Sequence, residues 1–386
     1  MTFSPNADQQ IALDKVAAFL DGTDRCFALA GLAGTGKSSI IPSILRMADD
    51  RGIGAKIGTP TGKAAAVVNR KLRAAGIYAQ ATTIHSIAYR PISQIIRTDR
   101  QDHLGRDVIE PVFEAHPFLA NLLIVDEASM VSPSMLQRLL ESQSKFLFIG
   151  DHGQLPPVGS KMLSPTLQSP NHTLTEIVRQ AKDSPIRQFA YSVRQGAPLQ
   201  STPAGISLHR VLSTQSIAEQ CHANGTDMII VATNRLRGAL NSSIRQLRGM
   251  TGNTFAEGEQ VLICSNSHPH KVFNGEIYTV ERIRHSSHRH KEGPILTCDL
   301  VCSDTGRRIR SADLGFQWRT GACFEAGCIA AEYGYALTAH KAQGSQADSV
   351  AVVNENINWM GEHAPSWRYT AVTRAATDLS IFHFDF

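Results

Sequence analysis

Apolar residues in this chain come in two textures. Short unbroken runs occur at residues 26–30, 122–125, 146–149 and 350–353. Such runs, lacking polar alternation, predict strands buried on both faces of a parallel sheet. Between them, apolar residues recur at helical spacing. Ile11, Val16, Phe19 and Leu20 predict a helix over residues 6–20 with Asn6 as its cap, and residues 38–47, 185–195 and 368–375 predict others. Further strands are expected at 54–58, 227–233 and 379–383, the last closing a sheet, and residues 335–338 lead into the block at 339–345. Strand and helix in alternation define an α/β chain.

Two segments break this rhythm. Residues 92–97 and 107–113 form either a hairpin around the turn at 99–106 or one long surface loop; the pattern fits both. Over 254–316 the runs shorten and alternate (260–264, 275–284, 295–301, 307–311), separated by Asn-Gly, Ser-Ser and Thr-Gly turns. That texture predicts a small inserted β-barrel, with residues 282–291 as its basic, His-rich loop. A boundary is expected at 165–171. Arg235, Arg237, Arg245 and Arg248 follow the strand at 227–233, as a solvated or a backbone-contacting face.

Composition narrows the class. With 386 residues there is room for two or more domains, and 42% hydrophobic with 19% charged residues reads as globular. A net charge of +4 neither demands nor excludes nucleic acid, because a local groove outweighs the total. Seven cysteines without close repeated spacing, and no secretory segment, favour a reducing cytoplasmic setting over a disulfide framework. No apolar run has the length of a membrane span. Cys298, Cys302, Cys323 and Cys328 with His285, His288 and His290 invite a zinc reading, but the spacings are not C-x2-C and favour buried thiols.

The chemistry concentrates at predicted strand ends. Residues 31–38 spell G-x-x-x-x-G-K-S, with Gly31, Gly36, Lys37 and Ser38 in the fixed places. A strand leads in and a helix leads out, so backbone N–H groups and a helix N-terminus can hold a phosphate. Gly34 and Gly36 let the backbone approach, Lys37 can reach the β- and γ-phosphates, and the Ser38 hydroxyl can ligate Mg²⁺. Asp126 and Glu127 end the run 122–125, suited to hold Mg²⁺ and to activate water. Gln154 follows the run 146–149 and would lie near the γ-phosphate if that strand neighbours the phosphate-loop strand. Arg179 and Arg374 stand isolated, as fingers for the transferring phosphoryl group would. Thr61 and Lys63, then Thr83 and His85, sit where strand ends open helices and could hold phosphates of a polymer. Gln9, ahead of the loop, could read adenine through its amide.

In order, the blocks GLAGTGKSS, TPTGKAA, TTIHS, IVDEASM, GDHGQLPPV, LTEIVRQ, LTAHKAQGS and YTAVTRA resemble those of superfamily 1B DNA helicases, the RecD-like and phage Dda-like group. The resemblance runs nearly end to end. It implies two RecA-like parallel-sheet P-loop NTPase domains, 1A (1–87 and 118–170) and 2A (171–252 and 331–386), with ATP between them. It implies a hairpin insertion 1B (88–117) acting as a pin and an SH3-like barrel insertion 2B (253–330). By the same resemblance Gln9, Gly34, Thr35, Gly36, Lys37, Ser38, Ser39 and Gly344 bind nucleotide. Ser38 and Asp126 hold Mg²⁺, and Lys37, Asp126, Glu127, Gln154, Arg179 and Arg374 carry hydrolysis. Thr61, Lys63, Thr83, His85, Thr338 and His340 would contact the strand, and Phe113 is the candidate wedge in 1B. Gln346 departs from the family's usual Glu, which puts a ribose or closure contact in doubt.

The implied activity is 5′-to-3′ translocation on single-stranded DNA with unwinding of forked duplex. The implied setting is a monomer in the bacterial cytoplasm, with a phage-encoded origin also compatible. Single-strand-binding, replication or recombination proteins are candidate partners. Three other readings are a RecD-type motor subunit of a nuclease complex, a DNA-stimulated ATPase or remodeller without strong unwinding, and a DNA-binding protein whose ATP site has decayed, against which Lys37, Asp126, Glu127, Gln154 and Arg374 are all present. No D-x-K or E-x-K triplet occurs, so the common carboxylate–lysine nuclease site is missing from these residues.

Overall fold

The computed structural model describes the chain except residues 1–3, 102–106, 119, 158–159, 161, 163, 179–183, 198, 200–205, 268–269, 271, 291–292, 304, 317–321, 324–325 and 385–386. It divides into two compact units. One comprises Met1–Ala88, His116–Arg210 and Ala342–Phe386; the other comprises Tyr89–Ala115 and Val211–Lys341.

The first unit is built on six strands: β1 (Cys26–Gly31), β2 (Ala55–Thr59), β3 (Ala81–Thr83), β6 (Leu122–Val125), β7 (Lys145–Gly150) and β8 (His172–Leu174). Their spatial order is β3-β2-β6-β7-β1-β8, and every pairing is parallel. All carboxyl ends therefore share one edge, where α/β sheets place ligands. Strand β7 does neighbour β1, with Phe27 opposite Leu147 and Ala30 opposite Gly150. All four side chains of β6 are buried, which is why its sequence shows no alternation.

The opening helix Ala7–Asp21 buries Ala12, Leu13, Val16, Phe19 and Leu20. Ile11, expected on that face, is 50% exposed, because the core stripe falls one position on, through Ala12 and Val16. The helix after the phosphate loop also starts later than expected. Lys37–Ser39 form a 3-10 turn and the α-helix runs Ile41–Asp49, with Pro42 fitting the first turn, where its missing N–H costs nothing. Also in this unit are the helix Pro185–Arg194, β9 (Ile206–Val211), β17 (Ala347–Asn354), the helix Ala364–Val372 and β18 (Ala375–Phe384). Strands β17 and β18 pair in parallel. The last helix was expected over 368–375. It begins instead at Ala364 with Pro365 in its first turn, and Ala375 already belongs to β18.

In the second unit, β4 (Tyr89–Gln101) and β5 (Asp107–Ala115) form an antiparallel hairpin, longer than the sequence suggested and not a loop. Strand β10 (Met228–Val231) runs parallel to β16 (Ala336–Thr338). Between them in sequence, β11 (Gln260–Ile263), β12 (Ile277–His290), β13 (Gly293–Cys302), β14 (Arg308–Phe316) and β15 (Ile329–Tyr333) close a barrel. Residues 282–290 are strand, not loop: main-chain pairing with β13 carries β12 on to His290, through several register shifts. Residues Arg282 and His285 in this extension are exposed, so hydropathy gives no strand signal. Arg237 and Arg245 belong neither to a solvated nor to a ligand-facing surface. Arg237 pairs with Glu332, and Arg245 pairs with buried Glu259 while lying 4.2 Å over the Tyr333 ring. Both tie the helix Asn234–Leu247 to the barrel.

Candidate functional site

The phosphate loop leaves β1 and turns on glycine. Gly34 (φ 89°) and Gly36 (φ 77°) occupy the left-handed region, and a β-carbon on Gly31 would come within 2.7 Å of Thr35 Oγ1. Lys37 Nζ donates to Leu32 O at 2.9 Å and stands 3.9 Å from Asp151 Oδ2. The Ser38 hydroxyl and the 4%-exposed Asp126 carboxylate have no side-chain hydrogen-bond partner among the described residues.

Gln9 is buried, and both ends of its amide are engaged. Oε1 accepts from Asn6 N in a capping box, and Nε2 donates to Thr35 O at 3.1 Å. The opening helix is thereby pinned to the loop. Asp8, one residue earlier, accepts from Thr175 N and Glu176 N, and Val178 N donates to Gly34 O. The segment leading to Arg179 is laid along the phosphate loop; Arg179 itself lies outside the described residues.

Asp151, at the end of β7, is the hub. It is fully buried and accepts from Gly153 N at 2.8 Å, from Tyr369 Oη at 3.0 Å and weakly from Gln154 Nε2 at 3.5 Å. Tyr369 Oη also accepts from Ala33 N at 2.7 Å. A single hydroxyl thus joins the phosphate loop, the end of β7 and the helix Ala364–Val372. One residue on, Thr370 Oγ1 accepts from Leu155 N at 3.0 Å. Burial drives the Tyr369 phenol pKa upward, with Asp151 adding to it, so this hydroxyl stays protonated and can donate.

Arg374 lies in the turn between that helix and β18 and is 6% exposed. Its guanidinium donates to Thr370 O, Ser345 O and Thr373 Oγ1 at 3.0–3.1 Å. No carboxylate pairs with it directly among the described residues. Burial pulls its pKa down, and the charges of Glu127 and Asp151 oppose that. Glu127 shows the reverse: burial and neighbouring Asp126 push its carboxyl up, against Arg374 and Lys37. Glu127, Asp126, Lys37, Arg374 and Asp151 therefore share one electrostatic neighbourhood. Glu127 also holds a left-handed backbone (φ 54°, ψ 40°), rare for a residue with a β-carbon.

Several buried polar atoms in these blocks have no hydrogen-bond partner among the described residues: Ser129 Oγ, His152 Nδ1, Gln154 Oε1, Gln343 Nε2 and Ser345 Oγ. Native interiors satisfy nearly all such groups, so their concentration here fits a site that receives a polar ligand. Together with the glycine cradle and the unpartnered Ser38 and Asp126, it suits a nucleoside triphosphate with Mg²⁺.

Thr61 and Thr83 lie at the ends of adjacent strands, since Thr59 is opposite Thr83 in the β2–β3 pairing. Thr61 caps the helix Gly62–Ala74, accepting from Ala64 N; Thr83 Oγ1 accepts from Ser86 N. Lys63 is buried and His85 exposed. Gly344 (φ 75°) sits against this helix start, where a β-carbon would lie 3.6 Å from Ala64 Cβ and 3.8 Å from Thr61 Oγ1. Thr338 and His340 belong to the second unit, half-buried at the end of β16; burial holds the His340 imidazole below its usual pKa. Phe113, on β5, is 42% exposed. Cys298, Cys302, Cys323 and Cys328 are buried free thiols, and among the described residues no group of three or more His, Cys, Asp or Glu is placed to hold a metal ion. Likewise, no described helix is long and apolar enough to cross a membrane.

Tyr369, Thr370, Asp151 and Ser345 were not singled out from the sequence. Each stands inside a recognised block, which was the available signal; their partners come from distant parts of the chain.

A parallel sheet with a phosphate loop, an Asp-Glu strand end and a glutamine strand end defines a P-loop NTPase. A family model described as an AAA domain matches residues 4–211, and one described as a UvrD-like helicase C-terminal domain matches residues 333–382. The chain belongs to the AAA-domain family, and its matches taken together place it with the superfamily 1B, RecD-like helicases. It is 28% identical to the ATP-dependent RecD2 DNA helicase of Deinococcus radiodurans over 95% of this chain and 47% of that protein. It is 26% identical to the RecBCD enzyme subunit RecD of Mycolicibacterium smegmatis over 98% of this chain and 71% of that one. The chain thus spans less than half the length of the Deinococcus relative. Among solved structures, the Pif1 helicase from Candida albicans shares the fold at a TM-score of 0.58 and 18% identity, covering 100% of this chain and 95% of that one. The Bacteroides Pif1 in complex with ADP-AlF3 and ssDNA aligns at 0.52 and 16%, covering 100% and 94%.

Proposed function

We propose that this protein is an ATP-driven DNA helicase that translocates 5′ to 3′ on single-stranded DNA and unwinds forked duplex. The observation that carries the reading is the convergence of Lys37, Glu127 and Arg374, from three separated blocks, on one neighbourhood joined by the Tyr369 bridge. In this reading the loop N–H groups and Lys37 bind the triphosphate. Mg²⁺, held by Ser38 and Asp126, would neutralise charge on the phosphates. Glu127 accepts the proton of the attacking water; its raised pKa makes it a stronger base than an exposed glutamate. Arg374 and Arg179 stabilise charge on the transferring group, a role worth about 10³–10⁵ in rate. Because Tyr369 and Thr370 tie the Arg374 segment to the phosphate loop and to Leu155, occupancy of the loop can be felt by that segment.

The strand contacts are assigned to Thr61, Lys63, Thr83, His85, Thr338 and His340, and the division into 1A, 1B, 2A and 2B is part of the same proposal. The Bacteroides Pif1 structure with ssDNA supports a single-stranded DNA partner. The test is ATP hydrolysis with and without single-stranded DNA, paired with unwinding of 5′-tailed and 3′-tailed duplexes. Stimulated turnover and a 5′-tail requirement are expected, and Lys37→Ala abolishes turnover while leaving the fold intact. Equal unwinding of both tails overturns the polarity.

A second reading, a motor subunit of a nuclease complex, is favoured by the match to RecD over nearly the whole chain. Stable copurification with a nuclease would select it.

A further inference from the structure

Arg187 lies in none of the recognised blocks. It sits on the helix Pro185–Arg194, whose core face is Ile186, Phe189, Ala190 and Val193. Arg187, Tyr191 and Arg194 fall at i, i+4 and i+7, on one stripe of that helix. The stripe borders the nucleotide site. The Tyr191 phenol senses Asp151 and Arg187, and His152 senses Arg194.

The guanidinium of Arg187 lies across the phosphate loop. A β-carbon built on Gly34 would stand 2.7 Å from its Nη1 and 3.3 Å from both Cδ and Cζ. The side chain is half-buried, yet it has no hydrogen-bond acceptor and no carboxylate within ion-pair distance among the described residues. It also acts on Arg374 as a like charge. A guanidinium has five donors in a planar fork, and withdrawing it from water without acceptors is unfavourable. A half-buried, unpaired arginine pressed on a loop whose amides bind anions, and within electrostatic range of a second arginine, calls for a multivalent anion. The fork suits two phosphate oxygens at once.

We propose that Arg187 is a further phosphate ligand of this site, reaching the terminal phosphates of a bound nucleoside triphosphate across Gly34. The proposal rests on the nucleotide-binding reading of the phosphate loop. It adds a third guanidinium to Arg179 and Arg374, from a helix that the motif order does not mark.

The test titrates the full chain, Arg187→Ala, Arg187→Lys and Lys37→Ala with a Mg²⁺-loaded, fluorescent, non-hydrolysable ATP analogue and with the matching ADP analogue. Thermal melts without nucleotide accompany the titrations. Arg187→Ala should weaken triphosphate binding by about tenfold to a hundredfold, the range of a charge-assisted hydrogen bond. Diphosphate binding should change much less, Arg187→Lys should recover part of the loss, and the nucleotide-free melting temperature should stay unchanged. Triphosphate affinity of Arg187→Ala within about twofold of the parent, with Lys37→Ala clearly weakened, overturns the assignment and leaves the phosphate loop standing. Equal losses for both nucleotides together with a lower melting temperature overturn it in favour of a packing role. Should Lys37→Ala also bind normally, the phosphate-loop reading fails first and the proposal with it.

Discussion

The Tyr369 hydroxyl accepts from Ala33 N, which is part-buried, and donates to the fully buried Asp151. Removing it strands a backbone N–H and strips one of the Asp151 partners. Leaving a buried donor unsatisfied costs about 1–3 kcal/mol, more than the net worth of a typical hydrogen bond. Tyr369→Phe, which keeps the ring, should therefore lower stability by about 2 kcal/mol in denaturant titration. It should also reduce ATP turnover, since Asp151 is near Lys37. Unchanged stability would mean that the bridge is not maintained in solution. Lys37, Asp126 and Glu127 could be found from sequence because their chemistry demands fixed spacing from a strand end. The roles of Tyr369 and Arg187 could not, although Tyr369 stands inside a recognised block. Their partners are set by which helix packs beside the loop, and no local pattern encodes that. Gln9 is intermediate: its position was legible, but the direction of its amide depends on Thr35, which lies 26 residues away.

At the scale of elements, the barrel shows what hydropathy alternation can and cannot report. Its first four strands announced themselves by short alternating runs. Strand β15 did not, because it closes the barrel by pairing parallel to β14 and antiparallel to β11, across a long stretch of sequence. The far half of β12 carries no such signal, because polar Arg282, Arg284 and His285 interrupt any apolar alternation. It is anchored by an ion pair: Arg284 Nε donates to Asp299 Oδ1 at 2.7 Å, and Ser311 N donates to the same oxygen. The Arg284 guanidinium and the Ser311 amide hold the Asp299 carboxyl down at about 2, below its ordinary 3.8. A depressed folded-state pKa means a contribution that is complete above the unfolded value and is lost as pH falls through the folded one. Barrel stability should thus drop between about pH 4 and pH 2, and Asp299→Asn should flatten that slope in melts recorded against pH. A parallel fall in both proteins would assign the acid loss to other carboxylates. The helix Asn234–Leu247 teaches the complementary lesson. By charge alone its arginines read as a solvated or a backbone-contacting face, whereas Arg237 and Arg245 are consumed by Glu332 and Glu259.

At the scale of the whole molecule, the proposed motor must hold a polyanion while it turns over nucleotide. If several strand phosphates are neutralised, single-stranded DNA affinity should fall steeply with salt, with a log–log slope of about −0.7 per phosphate. A flat response in fluorescence titrations from low to high salt would mean that stacking, not charge, carries the affinity. The net charge of +4 could not forecast this, since it says nothing of where the cations lie. What could be read without coordinates were the features governed by local chemistry. These were buried parallel strands without alternation, the glycines that free a phosphate loop, carboxylates at strand ends, and the order of blocks that places the chain in its family. What needed the folded chain were the partnerships between distant segments: β7 beside β1, the Tyr369 bridge, Arg374 within electrostatic range of Glu127, and Arg187 over Gly34. The reason is physical. Local structure follows from short-range sterics and hydrogen bonding, whereas a site's electrostatics depend on which distant groups packing brings within a few ångströms and how deeply it buries them.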